Sequence, residues 1–184
     1  SLFWNGGMRV AFGRALEESH DFYLWVNDDT DLFPDCLTQL LATHDMLITQ
    51  CGRDGIVIGS TCNDQGELSY GGQNRNPGWR ALNYSCVTPN DTPIPCETFN
   101  GNCVLISAGA ARELGNLEQA FRHGMGDVDY GLRATRKGIP IWVMPGYAGR
   151  CIHDHTVEGS YLDQSLPLAL RWKKALSPKE LSPH

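Results

Sequence analysis

The chain has 184 residues, of which 41% are hydrophobic and 20% are charged, a balance that is ordinary for one globular domain. The formal net charge of −6 argues against a nucleic-acid-binding protein, and no apolar run is long enough for a transmembrane helix. The seven cysteines are odd in number and lack C-x-x-C spacing, which favours free thiols over a disulfide framework or a structural zinc site. We therefore expect a cytoplasmic protein, either free or peripheral to a membrane.

The first part of the chain alternates between helical and strand patterns. Residues 8–19 carry a broad apolar stripe, which predicts a helix. Residues 22–26 form a short apolar run, which is typical of a strand buried on both faces. Residues 34–49 predict a second helix opened by a proline, and residues 55–59 predict another buried strand. This order of strand, helix and strand predicts a parallel sheet with helices packed on it.

The middle of the chain, residues 64–98, is rich in Gly, Asn, Pro and Tyr. This composition predicts loops and hairpins, and long loops of this kind often carry function. The patterns beyond it predict a strand, two helices, a strand and a final amphipathic helix, at residues 101–106, 108–114, 126–137, 141–145 and 163–176. We expect one domain over residues 1–176, followed by a polar tail at residues 177–184.

Two adjacent carboxylates, Asp28 and Asp29, directly follow the strand of residues 22–26. Open α/β sheets place their ligands at the carboxyl ends of strands, and adjacent carboxylates repel each other unless a cation lies beside them. Hard oxygen ligands at such an edge suit Mg²⁺ or Mn²⁺, which would also hold a diphosphate. The alternative is that acidic residues here cap the helix that follows, and we prefer it for Asp31 and Asp35.

A second carboxylate pair, Asp127 and Asp129, lies in the first turn of the helix at residues 126–137, after a Gly-rich turn. Aspartates in the first turn of a helix are electrostatically favourable, so capping alone would explain them. The dense polar run in which they stand supports a second interpretation. A carboxylate at this position would act as a general base toward a sugar hydroxyl.

Several short segments stand in an order and spacing that match one enzyme family. Residues 25–30 have the sequence Trp-Val-Asn-Asp-Asp-Thr, residues 99–106 have Phe-Asn-Gly-Asn-Cys-Val-Leu-Ile, and residues 126–133 have Gly-Asp-Val-Asp-Tyr-Gly-Leu-Arg. Together they resemble the inverting family 2 glycosyltransferases of the GT-A fold. In that family the corresponding segments are the DxD motif at a strand end, the lining of the acceptor side, and the motif whose Asp is the catalytic base.

Two further segments extend the resemblance toward both ends of the chain. Asn5 and Gly7 match the helix-opening motif that precedes the DxD strand, and residues 151–153 resemble a late strand that can supply a metal-binding His. Each motif is weak alone, but their common order makes the resemblance specific. The chain departs from the family at Asn27, where the first Asp of the motif would fall, and at Gly126, where Glu is frequent. The first βαβ portion of the family's fold, which recognises the nucleotide base, has no counterpart here.

The resemblance implies a three-layer α/β/α domain of the GT-A type with a mostly parallel sheet, lacking its N-terminal part. It implies transfer of a sugar from a nucleoside diphosphate to a hydroxyl of a carbohydrate or glycoconjugate acceptor, with inversion, as in polysaccharide biosynthesis. Mn²⁺ or Mg²⁺ would stabilise the leaving diphosphate. The implied residue roles are the general base at Asp127, metal ligands at Asp29, Asp28 and His153, donor contacts at Asn5, Gly7 and Asn27, and acceptor contacts at Asn100, Gly101, Asn102 and Asp129.

Aromatic residues in the Gly-rich middle are further candidates for acceptor contacts. Tyr70 begins a segment, residues 70–74, whose glycine pair permits motion. The segment is either a loop that closes over the sugar or an ordinary hairpin turn. Trp79 either stacks on a sugar ring or packs in the core. We expect Trp142 and Trp172 in the core.

Two other classes of function stay open at this point. One is a catalytically inactive relative that binds a carbohydrate or nucleotide-sugar, which the missing first portion favours. The other is a metal-dependent phosphoesterase or nucleotidyltransferase that uses the same acidic strand end. A chain that lacks the first portion is also expected to expose an apolar sheet edge.

Overall fold

The computed structural model describes residues 3–78, 83–121, 124–152 and 163–175, which form a mixed α/β fold. The helices in these ranges are α1 (Phe3–Leu16), α2 (Cys36–Cys51), α3 (Ala108–Leu114), α4 (Gly126–Arg136) and α5 (Leu168–Ala175). The strands are β1 (Phe22–Val26), β2 (Asp31–Leu32), β3 (Ile56–Ile58), β4 (Thr61–Cys62), β5 (Leu68–Tyr70), β6 (Gly72–Arg75), β7 (Tyr84–Cys86), β8 (Ile94–Pro95), β9 (Thr98–Phe99), β10 (Cys103–Ser107), β11 (Ile141–Val143) and β12 (Gly149–Arg150).

The central sheet has five strands in the order β1-β10-β3-β11-β8. β10 is antiparallel to both β1 and β3, β11 is parallel to β3, and β8 is antiparallel to β11. The expectation of a mostly parallel sheet is therefore wrong for the described part of the chain. The chain enters β10 from the hairpin-rich middle, whose described residues contain no helix, and antiparallel pairing requires no helical crossover.

The strand directions bring two segments of the sequence to one edge of this sheet. β1, β3 and β11 run the same way, so their carboxyl ends share an edge, and the antiparallel β10 begins there. Val26 at the end of β1 is paired with Cys103 at the start of β10. Residues 27–29 therefore lie beside residues 100–102, although more than seventy positions separate them in the chain.

Apolar side chains on the two faces of the sheet form two separate core clusters. Alternation along β3 sends Ile56 and Ile58 to one cluster and Val57 to the other. The first cluster joins the sheet to α1, α3 and α4, and the second joins it to α2. Trp142 belongs to the second cluster and is buried, which confirms its expected place in the core.

β1 matches its predicted range but not its predicted burial. It lies at an edge of the five-stranded sheet, and Leu24 is 39% exposed, so the expectation of burial on both faces is wrong. An apolar groove of about 420 Å³ runs between α1 and β1. A strand at the sheet edge keeps part of its apolar surface in contact with solvent, whereas an inner strand does not.

The helix predictions agree with the structure best for α3, whose two ends are as expected. α1 begins earlier than predicted, at Phe3, and α5 begins later, at Leu168. Trp172 on α5 is 71% exposed, so its expected place in the core is wrong. No helix in the described ranges is both long and apolar enough to cross a membrane. The predicted tail at residues 177–184 lies outside those ranges.

Two smaller sheets, in the orders β2-β12-β4-β5 and β7-β6-β9, contain most strands of the Gly-rich middle of the chain, whereas β8 joins the central sheet. Asp31 lies in β2, paired with β12, so its expected role as a helix cap is wrong. Tyr70 ends β5 and its neighbours form β6, so residues 70–74 are neither a loop nor a hairpin turn. The glycines serve close packing there, because a Cβ on Gly71 would overlap Ser60 and one on Gly72 would overlap Val143.

Candidate functional site

A hydrogen bond from α1 reaches the end of β1 beside the acidic pair. The indole Nε1 of Trp4 donates to Oδ1 of Asn27 at 2.7 Å. The backbone N–H of Asn27 donates in turn to the carbonyl of Asn102 at 3.2 Å. Asn27 thus ties the start of α1 to the segment before β10, and its expected contact with a donor stays a prediction.

Asp127 is the anchored carboxylate of the site. Its Oδ2 accepts a hydrogen bond of 2.9 Å from the backbone N–H of Gly101, and its Oδ1 accepts one of 2.8 Å from that of Val128. The bond to Val128 is local to the first turn of α4, whereas the bond to Gly101 reaches across to another element. Burial raises the pKa of the Asp127 carboxyl above its ordinary value, and the two backbone N–H groups partly oppose this by favouring the charged form.

Gly101 has no room for a side chain between its two neighbours. A Cβ at this position would lie 2.5 Å from Cζ2 of Trp4 and 3.4 Å from Cβ of Asp127. The Trp4 ring therefore packs against the backbone that holds Asp127, while its indole nitrogen holds Asn27. Trp4 thereby contacts both the Gly101 backbone, which holds Asp127, and the strand end that carries Asp28 and Asp29.

The start of α4 is fixed by an unusual turn and a buried amide. Met125, which precedes the helix, has a left-handed backbone with φ of 69°, a conformation that non-glycine residues rarely adopt. Asn5 is fully buried, and its Nδ2 donates to the carbonyls of Glu118 and Phe121. Any Cβ at Gly126 would overlap Oδ1 of Asn5, which gives a steric reason why Glu cannot stand here. Asn5 thus has a structural role, and its expected donor contact stays untested.

Asp129 is engaged in an ion pair within α4. Its Oδ2 accepts a hydrogen bond of 2.8 Å from Nε of Arg133, one helical turn later. The guanidinium also donates to the carbonyls of Leu114 and Asn116 and lies over the ring of Tyr130. This network joins α4 to the end of α3. The expected acceptor contact of Asp129 would have to form beside an existing ion pair.

The acidic pair after β1 is open to solvent. Asp28 and Asp29 are both exposed, and the Asp29 carboxylate lies near the buried thiol of Cys151. Burial raises the pKa of the Cys151 thiol, and the nearby Asp29 charge adds to this. Asn102 is buried and its Nδ2 donates to Sγ of Cys151 at 3.5 Å. The start of β10, the end of β1 and the segment after β12 therefore meet at Asp29.

The described ranges contain no group of three or more His, Cys, Asp and Glu side chains that could hold a metal ion. His153, the third expected ligand, lies outside these ranges, as does Trp79. Asp28 and Asp29 still suit Mg²⁺ or Mn²⁺, because Mg²⁺ is commonly held by one or two carboxylates together with water and substrate phosphates. Asp28 and Asp29 therefore suit an ion that is bound together with the substrate rather than one that is coordinated by protein side chains alone.

Asn100 lies between the anchored carboxylate and β6. Its Oδ1 accepts a hydrogen bond of 2.9 Å from Nε2 of Gln73, and its backbone N–H donates to Gly71 at 3.0 Å. The half-buried Asn100 is therefore held in place at the predicted acceptor side. Gly7 lies in α1 with no atom within 4 Å of where its Cβ would stand, and Tyr70 ends β5.

The sequence predictions did not include Trp4, Gln73 or Cys151 among the site residues. Each acts through a partner that is distant in the chain, 23 positions away for Trp4 and 27 for Gln73. The only sequence signal was their adjacency to predicted residues. Comparison of the sequence with protein-family models gives no match, and comparison with curated proteins gives no significant match.

Proposed function

We propose that the protein is an inverting, nucleotide-sugar-dependent glycosyltransferase of the GT-A type, and that this chain carries its metal- and acceptor-binding residues. The observation that carries the proposal is the environment of Asp127. A partly buried carboxylate with a raised pKa is anchored by two backbone N–H groups. The motif resemblance and the exposed pair Asp28 and Asp29 at the end of β1 support the same proposal.

In the proposed reaction, Asp127 takes the proton of the acceptor hydroxyl as that oxygen attacks the anomeric carbon. The N–H groups of Gly101 and Val128 fix the carboxylate, and each of its oxygens retains a second lone pair for the hydroxyl proton. A pKa raised toward the working pH improves a general base. Asn100, held by Gln73, would orient the acceptor next to it.

Asp28 and Asp29 would hold Mn²⁺ or Mg²⁺ together with the donor diphosphate. When bound, the ion would supply positive charge that stabilises the leaving diphosphate. The seven free cysteines support a reducing compartment, so the proposed location is the cytoplasm.

The test is incubation of the protein, expressed from its complete open reading frame, with a panel of nucleotide-sugars and Mn²⁺. Sugar transfer or slow donor hydrolysis is expected for the parent. Because a positioned base is typically worth ~10² to 10⁴ in rate, Asp127→Asn should lose about that factor while donor binding changes little. Asp129→Asn is the matched control, since it removes a carboxylate from the same helical turn.

Other outcomes would overturn the proposal in favour of a different class. Nucleotide-sugar binding without turnover would indicate a binding relative. Hydrolysis of phosphoesters without sugar dependence would indicate a metal-dependent phosphoesterase. If Asp127→Asn transfers sugar within a few-fold of the parent, Asp127 is not the base.

A further inference from the structure

The large apolar side chains of α5 point away from the protein core. Leu168, Leu170 and Trp172 are 79%, 40% and 71% exposed. Most large apolar side chains on a helix of a globular protein face the core. Leu168 and Trp172 are four positions apart, so they lie on the same side of the helix and form one apolar surface.

The charge of α5 is opposite in sign to that of the whole chain. α5 has the sequence Leu-Ala-Leu-Arg-Trp-Lys-Lys-Ala, with three basic residues and no acidic one, in a chain with a net charge of −6. Lys173 is exposed and Lys174 is half-buried. A short helix that combines exposed Trp and Leu with Lys and Arg has the composition of a helix lying in a membrane interface.

A polar turn directly precedes α5. The buried Asp163 accepts hydrogen bonds on Oδ1 from the backbone N–H of Ser165 at 2.9 Å and from its hydroxyl at 2.6 Å. The carbonyl of Pro167 then accepts from the N–H groups of Leu170 and Arg171. These bonds order the turn and the first residues of α5 without using the apolar side chains of Leu168 and Trp172.

We propose that α5 is a docking surface for membranes rich in anionic phospholipid. Trp172 and Leu168 enter the boundary between head groups and acyl chains, and Lys173 and Lys174 contact the lipid phosphates. The choice of occupant follows from the composition of α5. Its basic residues are attracted to an anionic lipid surface, and a tryptophan beside leucine and basic residues is typical of a helix that lies in a membrane interface. The proposal does not depend on the proposed enzymatic reaction.

The test is co-sedimentation of the protein with vesicles of phosphatidylglycerol mixed with phosphatidylcholine, and with vesicles of phosphatidylcholine alone. Binding is expected to the mixed vesicles only and should weaken at high salt. Each basic side chain near such a surface strengthens binding about fivefold, so Lys173→Glu combined with Lys174→Glu should weaken it by about 25-fold or more. Trp172→Ala combined with Leu168→Ala should abolish measurable binding.

Two control variants carry matched changes elsewhere. Leu37→Ala removes an exposed apolar side chain from α2, and Arg112→Glu reverses an exposed charge on α3, and both should bind as the parent does. Brominated phospholipid should quench the tryptophan fluorescence of the parent but not that of Trp172→Phe. Equal binding by the α5 variants, equal binding to both vesicle types, or no binding would overturn the proposal. A dimer in sedimentation velocity that Trp172→Ala dissociates, without vesicle binding, would overturn it in favour of self-association.

Discussion

Gly101 and Asp127 are joined by a hydrogen bond of 2.9 Å from the backbone N–H of Gly101 to Oδ2 of Asp127. The bond couples the segment before β10 to the first turn of α4. The orientation of the carboxylate therefore depends on two elements that are 26 positions apart in the chain. Substitution of Asp127 should therefore act through its charge, whereas substitution of Gly101 should act through steric overlap.

Ionisation of Asp127 should lower the stability of the protein. Burial raises the pKa of this carboxyl from its ordinary value of 3.8, so the folded state binds more protons than the unfolded state above that pH. The contribution to stability is therefore complete below the unfolded pKa and is lost as the pH rises through the folded pKa. Asp127→Asn cannot ionise, so its free energy of unfolding should rise relative to the parent as the pH rises from about 4 through the folded pKa of Asp127.

Urea unfolding of both proteins across this pH range measures the difference. An amide nitrogen cannot accept from a backbone N–H, so the Asn variant loses one of the two bonds to Gly101 and Val128. The loss of this bond lowers the stability of the variant equally at every pH. The difference in stability between the two proteins should therefore still change with pH as predicted. The prediction would be contradicted if the difference in free energy of unfolding between the two proteins stays constant with pH. It would also be contradicted if the parent becomes relatively more stable as the pH rises.

Gly101→Ala should destabilise the protein through steric overlap with Trp4. The new Cβ would lie 2.5 Å from Cζ2 of the indole, so the ring must move and its bond to Asn27 should break. Overpacking of this kind costs about 1 to 3 kcal/mol. The free energy of unfolding in urea measures it, and Trp4→Leu in the same chain should recover part of the loss.

The matched control for this substitution is Gly7→Ala. Apart from its chain neighbours and the backbone of the same helix, no atom lies within 4 Å of the Cβ that it would add in α1. Alanine is favoured over glycine inside a helix by roughly 0.5 to 1 kcal/mol, so this variant should be slightly more stable. Equal losses in the two variants would show that steric overlap at Gly101 is not the cause.

Asp129→Asn should cost stability and leave turnover nearly intact. The substitution removes the charge that pairs with Arg133, whose guanidinium also bonds the carbonyls of Leu114 and Asn116. The pair is partly exposed, so we expect a loss of about 1 kcal/mol or less. Thermal unfolding and turnover are measured on the same protein. A fall in rate as large as that of Asp127→Asn would transfer the role of base to Asp129.

Asn5→Ala should be among the most destabilising single changes in α1. It removes the fully buried amide that donates part-buried hydrogen bonds to the carbonyls of Glu118 and Phe121. Each buried polar group left unsatisfied costs about 1 to 3 kcal/mol. Gln50→Ala, an exposed position on α2, is the control and should be close to neutral. Urea unfolding that finds the two variants equally stable would contradict the structural role of Asn5.

The thiols should divide into a fast and a slow class toward a disulfide reagent such as dithionitrobenzoate. Cys51 and Cys86 are exposed, and the other five cysteines are buried. Burial raises the pKa of the Cys96 thiol to about 12 and also raises that of Cys86, so Cys51 should react first. Two thiols should react in the native protein and seven after unfolding. Loss of the fastest phase in Cys51→Ser checks the assignment, and a third fast thiol would contradict it.

Local patterns predicted most of the regular elements. The apolar run of β1 and the alanine-rich α3 were expected at their observed bounds, and α4 ends one residue before its predicted end. Gly138, with φ of 69°, follows α4 as expected from the preference of helix ends for left-handed glycine. These features depend on residues that are close in the chain, which is why periodicity and capping signals suffice.

Strand direction and the exposure of single aromatic residues followed no local pattern. Both β1 and β10 are apolar runs, and nothing in either run specifies that they pair antiparallel. Trp172 is a residue type that is often buried, but its side chain is 71% exposed on α5. These outcomes depend on how distant segments meet.

The sequence by itself determined the carboxylate-bearing candidates, Asp28 and Asp29 after a strand and Asp127 at a helix start, because adjacent residues specify those local positions. Only the tertiary structure decided that Gly101 holds Asp127 and that Trp4 reaches Asn27. A backbone N–H has no side-chain signature, and a hydrogen bond between distant residues depends on the packing of whole elements. The chemistry of the candidate site was therefore visible in the residues, while its geometry arose from the antiparallel insertion of β10 beside β1.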